Sequence, residues 1–363
     1  MSAQSYEILE RIDFMKQTTI AVLFGGNSTE YEVSLQSACS VIENLDPEKY
    51  HVILLGITRQ GEWLKYSGGT QEIRNDTWSR HASCVPAVIS PDRSTHGLLV
   101  IEGGRAVELP IDVAFPVLHG KNGEDGTVQG LLEMAGIPCV GCGILSSALC
   151  MDKDFAHRLV NLAGIKTPAS VVLHSPIPDA EVLQQTAHLS YPLFVKPVNA
   201  GSSFGITKVS DRKDLIEAVR VASQHDHKVI IEEAVDGFEV GCAVLGNEML
   251  TIGKVDEIEL SHGFFDYTEK YTLKTSKIHM PARIGAETAK RIKQAAAAIY
   301  QALGCTGFAR VDMFLTPDEE IVFNEVNTIP GFTSHSRYPN MLKGIGMTFP
   351  QIVDELIRLA MQP

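Results

Sequence analysis

The chain has 363 residues, enough for two or three domains that each bury a hydrophobic core. Its hydrophobic fraction of 44% and charged fraction of 21% are typical of a globular protein, and its net charge of −13 argues against nonspecific nucleic-acid binding. No stretch has the pattern of a membrane-spanning helix, and residues 1–14 lack the pattern of a signal peptide, so we expect a cytoplasmic protein without membrane contacts.

The seven cysteines indicate reduced thiols rather than a disulfide framework. Their number is odd, and no secretion signal precedes them. Cys139 and Cys142 form a single C-x-x-C pair, whereas a zinc site of this type needs a second pair. We interpret the two cysteines as small residues at the edge of a strand, with a redox role as the alternative.

The first part of the chain, residues 15–140, alternates predicted strands with predicted helices. The continuous apolar run Thr18–Phe24 predicts a buried parallel strand, and a helix with one apolar face follows it. Further strands are predicted at His51–Ile57 and Val113–Leu118, with a small hairpin between them. This alternation predicts a Rossmann-like open α/β sheet.

Polar residues cluster where two of these strands end. Glu30 follows the first strand, and His119 opens a glycine-punctuated loop that runs to Gly126. Open α/β sheets bind ligands at such strand ends. The turn Gly25-Gly26 does not match G-x-G-x-x-G, so a dinucleotide site has little support.

Residues 141–231 predict a smaller α+β domain with two features suited to phosphate. Lys196 lies at the end of a predicted strand, and the small-residue loop Ala200–Gly205 follows it. Main-chain N–H groups of Gly and Ser can approach a phosphate closely, and a lysine adds a mobile positive charge. A plain glycine-rich turn is the alternative, but Lys153 in the same domain strengthens the phosphate interpretation.

The last part, residues 232–363, contains a predicted β-hairpin that is rich in polar side chains. Because side chains alternate along a strand, Arg310 and Asp312 share one face, and Glu325 and Asn327 share a face of the second strand. If the two faces coincide, three oxygen ligands meet, and oxygen donors without His or Cys favour Mg²⁺. Solvated polar residues at strand ends are the alternative.

Two connecting segments of this part also carry chemistry. Glu232–Glu239 joins the second and third predicted domains, a position that ligand clefts favour. Gly263–Tyr271 is aromatic and charged without clear periodicity, so we predict an irregular lid loop.

The order of these motifs is similar to that of one enzyme family. The sequence has Glu30 after a Gly-Gly turn, the loop from His119 to Gly126, Met151-Asp-Lys153, Lys196-Pro with a serine-rich loop, Tyr-x-x-Lys-Tyr271, and Asn324-Glu-Val-Asn followed by Pro-Gly-Phe-Thr-Ser-His-Ser336. From about Lys16 to its end the chain resembles the D-alanine–D-alanine ligases of the ATP-grasp fold. The resemblance implies an N-terminal α/β domain, an ATP-grasp pair of α+β domains and a homodimer.

The resemblance also implies a reaction. ATP would lie between the second and third domains, with two Mg²⁺ ions, or Mn²⁺ in their place, bridging its phosphates. The carboxylate of one D-alanine would attack the γ-phosphate to give D-alanyl phosphate, and the amine of a second D-amino acid would then displace phosphate. Phosphoryl transfer of this kind depends on positioning and charge neutralisation.

The family pattern assigns roles to individual residues, as follows. Glu30 would bind the ammonium group of the first D-alanine, Glu239 the ribose and Glu232 the adenine amino group. The expected ATP-binding set is Lys153, Lys196, Ser203, Glu232, Glu233, Val235, Glu239, Lys270, Phe314 and Asn324. The expected catalytic set is Glu30, Ser202, Tyr271, Arg310 and Gly331, the substrate-binding set is Glu30, His119, Phe265, Ser336 and Arg337, and the metal ligands are Asp312, Glu325 and Asn327. The chain departs from the family at Glu233-Ala234, where a Lys-aromatic pair is common, which leaves the adenine packing open.

Two positions bear on the second substrate. Housekeeping members carry an aliphatic residue after His-Ser, whereas this chain has Arg337, as in the vancomycin-resistance ligases. Ligases that make a D-lactate ester replace the lid tyrosine with histidine, but Tyr271 is retained here. With Phe265, this pattern is most similar to the D-alanine–D-serine ligases, since an arginine can hydrogen-bond a serine hydroxyl. Alternatively, Arg337 binds the carboxylate of the second substrate or lies outside the pocket, and the enzyme is a housekeeping D-alanine–D-alanine ligase.

Two other classes of function remain as rivals at this point. A nicotinamide-dependent oxidoreductase would need the G-x-G-x-x-G turn that the sequence lacks. A non-catalytic protein of ATP-grasp shape would be expected to lose metal ligands, yet all three are retained.

Overall fold

The computed structural model describes residues 17–199, 201, 205–260 and 276–362. Within these ranges the strands form three sheets, and the predicted mixed α/β and α+β architecture is confirmed. The predicted lid Gly263–Tyr271 and most of the serine-rich loop lie outside the described residues, and with them Ser202, Ser203, Phe265, Lys270 and Tyr271.

The N-terminal sheet has the strand order β6-β5-β4-β3-β2-β1-β7. Its strands are β1 Thr18–Gly25, β2 Tyr50–Ile57, β3 Trp63–Tyr66, β4 Val85–Ile89, β5 Gly97–Glu102, β6 Arg105–Pro110 and β7 Val113–Val117. Only β2, β1 and β7 pair in parallel, and β3 to β6 extend the sheet in antiparallel fashion. The helices of this region are α1 Tyr31–Ile42, α2 Thr70–Arg74 and α3 Thr127–Ala135.

The central sheet is antiparallel and has the order β10-β9-β11-β8. Its strands are β8 Ser170–His174, β9 Leu193–Pro197, β10 Thr207–Val209 and β11 Lys228–Glu233, so the predicted boundary at residue 231 falls inside the last strand. Helices α4 Ile144–Met151 and α5 Lys153–Leu162 precede this sheet, and α6 Asp179–Gln185 and α7 Leu215–Ser223 lie within it in sequence. Lys196 of β9 pairs with Ile230 of β11, which fixes Lys196 beside the buried end of β11.

The C-terminal sheet is also antiparallel, with the order β14-β13-β12-β15-β16. Its strands are β12 Phe238–Leu245, β13 Thr251–Leu260, β14 Ser276–His279, β15 Phe308–Leu315 and β16 Ile321–Asn327. Helix α8 Ala286–Ala302 covers this sheet, and α9 Arg337–Lys343 and α10 Phe349–Ala360 follow it. The predicted hairpin is thus confirmed as β15 and β16.

One hydrophobic core joins the two ends of the chain. Residues of β1 and β7, such as Ile20 and Phe115, share a cluster with Phe332 and with Ile352 and Leu356 of α10. The N-terminal sheet is therefore covered on one face by the last helix, while the central sheet has a separate core of its own.

Candidate active site

A cavity of about 570 Å³ lies between the central and C-terminal sheets. The described residues that we predicted to bind ATP all line it: Lys153, Lys196, Glu232, Glu233, Val235, Glu239, Phe314 and Asn324. Asn324 lies at a β-bulge of β16, where the pairing with β15 shifts after Asp312. Bulges redirect side chains, which accounts for Asn324 and Glu325 both lining this cavity.

The inner wall of this cavity carries a buried acid–base cluster. Lys196 Nζ donates to Glu232 Oε2 at 2.5 Å, and His157 Nε2 lies 3.6 Å from Glu232 Oε1. Burial acts to raise the pKa of the Glu232 carboxyl, but the charges of Lys196 and His157 bring its pKa below the usual value. Glu232 Oε1 is buried and has no hydrogen-bond partner in the described part of the chain. An acceptor left in this state suits a ligand amino group, such as that of adenine.

Lys153 is positioned by the start of α5. Asp152 caps this helix by accepting a hydrogen bond from the Phe155 N–H at 3.0 Å. The buried Lys228 ammonium binds Asp152 at 3.1 Å and Asp154 at 2.7 Å. These contacts fix the helix N-terminus, so Lys153 extends from a rigid base.

A second cavity of about 520 Å³ meets the first, since Lys153 and Glu325 line both. Its walls include residues that we predicted to be catalytic or to bind substrate: Glu30, His119, Arg310, Gly331, Ser336 and Arg337. Their side chains come from the N-terminal and C-terminal parts of the chain. The two cavities, which have similar volumes, thus share the wall formed by Lys153 and Glu325.

The Glu30 carboxylate is closely packed by glycines. A Cβ atom on Gly120 would lie 2.4 Å from Glu30 Oε2, and one on Gly201 would lie 2.8 Å from it. Gly120 also has a φ of +70°, which favours glycine. The two glycines therefore allow the loops of two domains to approach this carboxylate.

The predicted metal ligands lie side by side on β15 and β16. In the strand register, Asp312 lies opposite Glu325 and Arg310 lies opposite Asn327. The Asn327 side chain also donates from Nδ2 to Asp312 Oδ2 at 3.0 Å. Among the described residues, no group of three or more His, Cys, Asp or Glu side chains suits a metal ion. Two carboxylates and an amide oxygen nonetheless fit Mg²⁺, which completes its shell with water and phosphate oxygens.

Arg337 is the first residue of α9 and is held by three carboxylates. Its Nε and Nη2 donate to Asp256 at 2.7 and 2.8 Å, and its Nη1 donates to Glu239 at 2.8 Å and lies 3.3 Å from Asp312. Burial acts to lower the pKa of this guanidinium, but the three carboxylates raise its pKa well above the usual value. Gly241 makes room for the pair, because a Cβ there would lie 2.2 Å from Arg337 Nη2.

Sequence reasoning missed two acidic residues of this region. Asp256 lies on β13, a strand that we did not predict, and its pairing with Arg337 identifies it. Glu124 lies in the loop that begins at His119, and it accepts hydrogen bonds from Gly120 N–H at 2.9 Å and Ile329 N–H at 2.8 Å. Burial and the nearby Glu30 charge raise the pKa of Glu124 to about 8.

The fold and the joined cavities are those of an ATP-grasp enzyme: one cavity lies between two antiparallel sheets, and the second lies where strands of the N-terminal sheet end. Residues 19–142 match the family described as D-ala D-ala ligase N-terminus, and residues 159–358 match D-ala D-ala ligase C-terminus. The chain belongs to the D-alanine–D-alanine ligase family.

Individual relatives agree with this assignment. The crystal structure titled VanG D-Ala:D-Ser ligase from Enterococcus faecalis is 61% identical, has a TM-score of 0.89, and covers 95% of this chain and 100% of its own. The vancomycin B-type resistance protein VanB of Enterococcus faecalis is 47% identical over 96% of this chain and 100% of its own length. A D-alanine–D-alanine ligase of Caldicellulosiruptor bescii is 46% identical over 96% of both chains. Among the described residues, no helix is long and apolar enough to cross a membrane.

Proposed function

We propose that this protein is an ATP-dependent ligase that joins D-alanine to D-serine through D-alanyl phosphate. The observation that carries the proposal is the meeting of the two cavities at Lys153 and Glu325, with Arg337 in the wall of the second. A product ending in D-serine would enter modified peptidoglycan precursors, which links the enzyme to vancomycin resistance. The similarity to the structure titled D-Ala:D-Ser ligase supports this choice of second substrate.

The ATP side of the reaction follows from the first cavity. Lys153 and Lys196 supply positive charge to the phosphates, and Glu232 Oε1 accepts from the adenine amino group. Asp312, Glu325 and Asn327 would hold Mg²⁺, which would neutralise phosphate charge and hold the phosphoryl group in line.

The amino-acid side follows from the second cavity. Glu30 binds the ammonium group of the first D-alanine. The carboxylate of this D-alanine then faces the nucleotide cavity at Lys153. Arg310 and the main-chain N–H of Gly331 stabilise the oxyanion that develops when the second amine attacks the acyl phosphate. Both residues line the second cavity, as such a role requires.

Selection of D-serine is assigned to Arg337. Asp256 binds the guanidinium through two hydrogen bonds, so Arg337 has a fixed orientation at the cavity wall. A hydroxyl group on the second substrate can hydrogen-bond to this polar pair, whereas a methyl group cannot. Such a preference amounts to about 1–3 kcal/mol if a methyl group is only tolerated less well, so some D-alanyl-D-alanine is expected.

The test is a product assay with ATP, Mg²⁺, D-alanine and D-serine, followed by chromatography of the dipeptides. D-Alanyl-D-serine should dominate at equal concentrations of the two second substrates, and Arg337→Leu should shift the product towards D-alanyl-D-alanine by about tenfold or more. Only D-alanyl-D-alanine, even with excess D-serine, would support the housekeeping alternative. An unchanged product ratio in Arg337→Leu would show that Arg337 does not select.

A further inference from the structure

We propose that Ser37 is a positioning residue of the active site, because it fixes the loop Ile329–Phe332 that carries Gly331. Ser37 lies on α1 of the N-terminal part of the chain and is fully buried. The loop belongs to the C-terminal part and follows the metal-ligand strand β16. The inference rests on the role proposed above for Gly331.

Ser37 reaches the loop through two routes. The main-chain N–H of Phe332 donates to Ser37 Oγ at 3.1 Å. The Ser37 hydroxyl is also 3.1 Å from His119 Nε2, and His119 Nδ1 is 2.8 Å from the carbonyl oxygen of Ile329. A carbonyl oxygen can only accept, so Nδ1 carries the proton, and in the neutral ring Nε2 then accepts from Ser37.

The neutral state of His119 agrees with its surroundings. Burial lowers the pKa of its imidazole, although the charge of Glu30 acts in the opposite direction. The three hydrogen bonds therefore form a continuous chain: Phe332 N–H donates to Ser37, the Ser37 hydroxyl donates to His119, and His119 donates to the Ile329 carbonyl. Each donor in this chain has one acceptor.

Glu124 binds the other end of the loop. We call the contacts of Ser37, His119 and Glu124 with Ile329–Phe332 the clamp. Glu124 accepts the Ile329 N–H at 2.8 Å, so the N–H and C=O groups of Ile329 and the N–H of Phe332 are all bound by the N-terminal part of the chain. Pro330 has no N–H. Gly331 thus supplies the one main-chain N–H of Ile329–Phe332 that this clamp does not use, and Gly331 lines the second cavity.

A neighbouring serine shows what a purely structural role looks like in the same helix. Ser34, three residues earlier on α1, is equally buried, but it accepts from Gly25 N–H at 2.8 Å and donates to the Val117 carbonyl. Both partners of Ser34 belong to the N-terminal sheet. Ser34→Ala is therefore a matched control for Ser37→Ala, since each change removes one buried hydroxyl with two hydrogen bonds.

The experiment compares Ser37→Ala and Ser34→Ala in the full chain. We expect Ser37→Ala to lower kcat for dipeptide formation about tenfold or more with little change in the KM for ATP, because a misplaced oxyanion donor affects the transition state. Ser34→Ala should lower the melting temperature by about as much as Ser37→Ala does, because each variant loses two buried hydrogen bonds. Its kcat should stay within about twofold of the wild-type value. Ser37→Cys, which keeps a weak donor at the same place, should have an intermediate kcat.

Hydrogen–deuterium exchange provides a readout that does not depend on the reaction. The peptide containing Ile329–Phe332 should exchange faster in Ser37→Ala than in Ser34→Ala or the wild-type protein. Equal kcat values in the two alanine variants, or unchanged exchange in Ser37→Ala, would overturn the proposal. If the loop exchanges faster in Ser37→Ala but kcat is unchanged, Ser37 holds the loop and the role assigned to Gly331 is wrong. Absence of ligase activity in the wild-type enzyme would refute the proposed function, and the exchange experiment would still test whether Ser37 holds the loop.

Discussion

The guanidinium group of Arg337 has a structural role and, in the proposed function, a role in selecting the second substrate. Its guanidinium would contact the second substrate, and it also neutralises Asp256 and Asp312, whose side chains are each 1% exposed. Removal of one partner from a buried ion pair is costly, because the remaining charge stays in a medium that solvates it poorly. A substitution of Arg337 should therefore change stability together with the proposed selectivity.

This coupling gives a prediction for stability. Arg337→Leu should lower the free energy of unfolding by about 3–5 kcal/mol, because it leaves the buried Asp256 carboxylate without its partner, while Asp312 keeps its ion pair with Arg310. Adding Asp256→Asn to Arg337→Leu should recover part of this loss, since it removes the carboxylate that makes two of the hydrogen bonds. Denaturant unfolding of the two variants and the wild-type protein measures both effects. A double variant less stable than Arg337→Leu would contradict the view that Asp256 is the main uncompensated charge.

At the scale of single elements, the start of α5 determines where Lys153 lies. The Asp152 carboxylate both caps the helix and binds Lys228, so one side chain joins the helix to β11. The cap contributes about 1 kcal/mol by itself. Its larger effect should be on the position of the lysine that lines both cavities.

We predict that Asp152→Ala lowers the free energy of unfolding by about 1–2 kcal/mol and raises the KM for ATP several-fold. Asp211→Ala is the control: Asp211 also caps a helical turn, by accepting from Lys213 N–H at 3.0 Å, but its side chain is exposed and away from both cavities. Steady-state kinetics with varied ATP measure the first effect. If both variants have the wild-type KM for ATP, the cap does not position Lys153.

The elements that the sequence predicted well have strong local signals. The continuous apolar run Thr18–Phe24 was predicted as a buried parallel strand, and it forms β1, which pairs in parallel with β2 and β7. Strands β12 and β13 were not predicted, because Gly241 interrupts the apolar run of β12 and polar residues of β13 such as Asp256 form ion pairs. Helix α9 was missed because it is short and has a proline at its third position. In these cases tertiary contacts, rather than local preference, determine the element.

The candidate site shows the same division. Residues within recognisable motifs, such as Lys196, Glu232 and Asn324, could be chosen from the sequence, and they line the expected cavity. Ser37 and Asp256 could not, because each acts through a partner about 80 residues away or more. No local pattern marks such a contact.

At the scale of the whole molecule, the last helix belongs to the core of the first sheet. Leu356 of α10 is fully buried in the cluster that contains Ile20 and Phe115. The exposed ion pair between Lys49 and Asp354, at 2.6 Å, lies beside the same contact. The N-terminal sheet should therefore not unfold independently of the C-terminus.

The two tryptophans make this testable, since Trp63 and Trp78 both lie in the N-terminal region. We predict that Leu356→Ala lowers the stability measured by tryptophan fluorescence by about 2–5 kcal/mol, although the substitution is far away in sequence. Leu215→Ala, in the separate core of the central sheet, is the control and should shift the tryptophan transition less. Equal shifts would mean that the molecule unfolds as one unit, and no shift in Leu356→Ala would contradict the shared core.

The packing of α9 and α10 also determines which segments could be exchanged with a relative to test the proposed role of Arg337 in specificity. Arg337 opens α9, whose Tyr338, Met341 and Leu342 are fully buried in the same cluster as the N-terminal sheet. A chimera that takes only the residues around Arg337 from a relative would place the first residues of another α9 on the unchanged core of this protein. The exchangeable block is instead the stretch from Phe332 to the end of α10, grafted together with the strand faces of β1 and β7 that it covers.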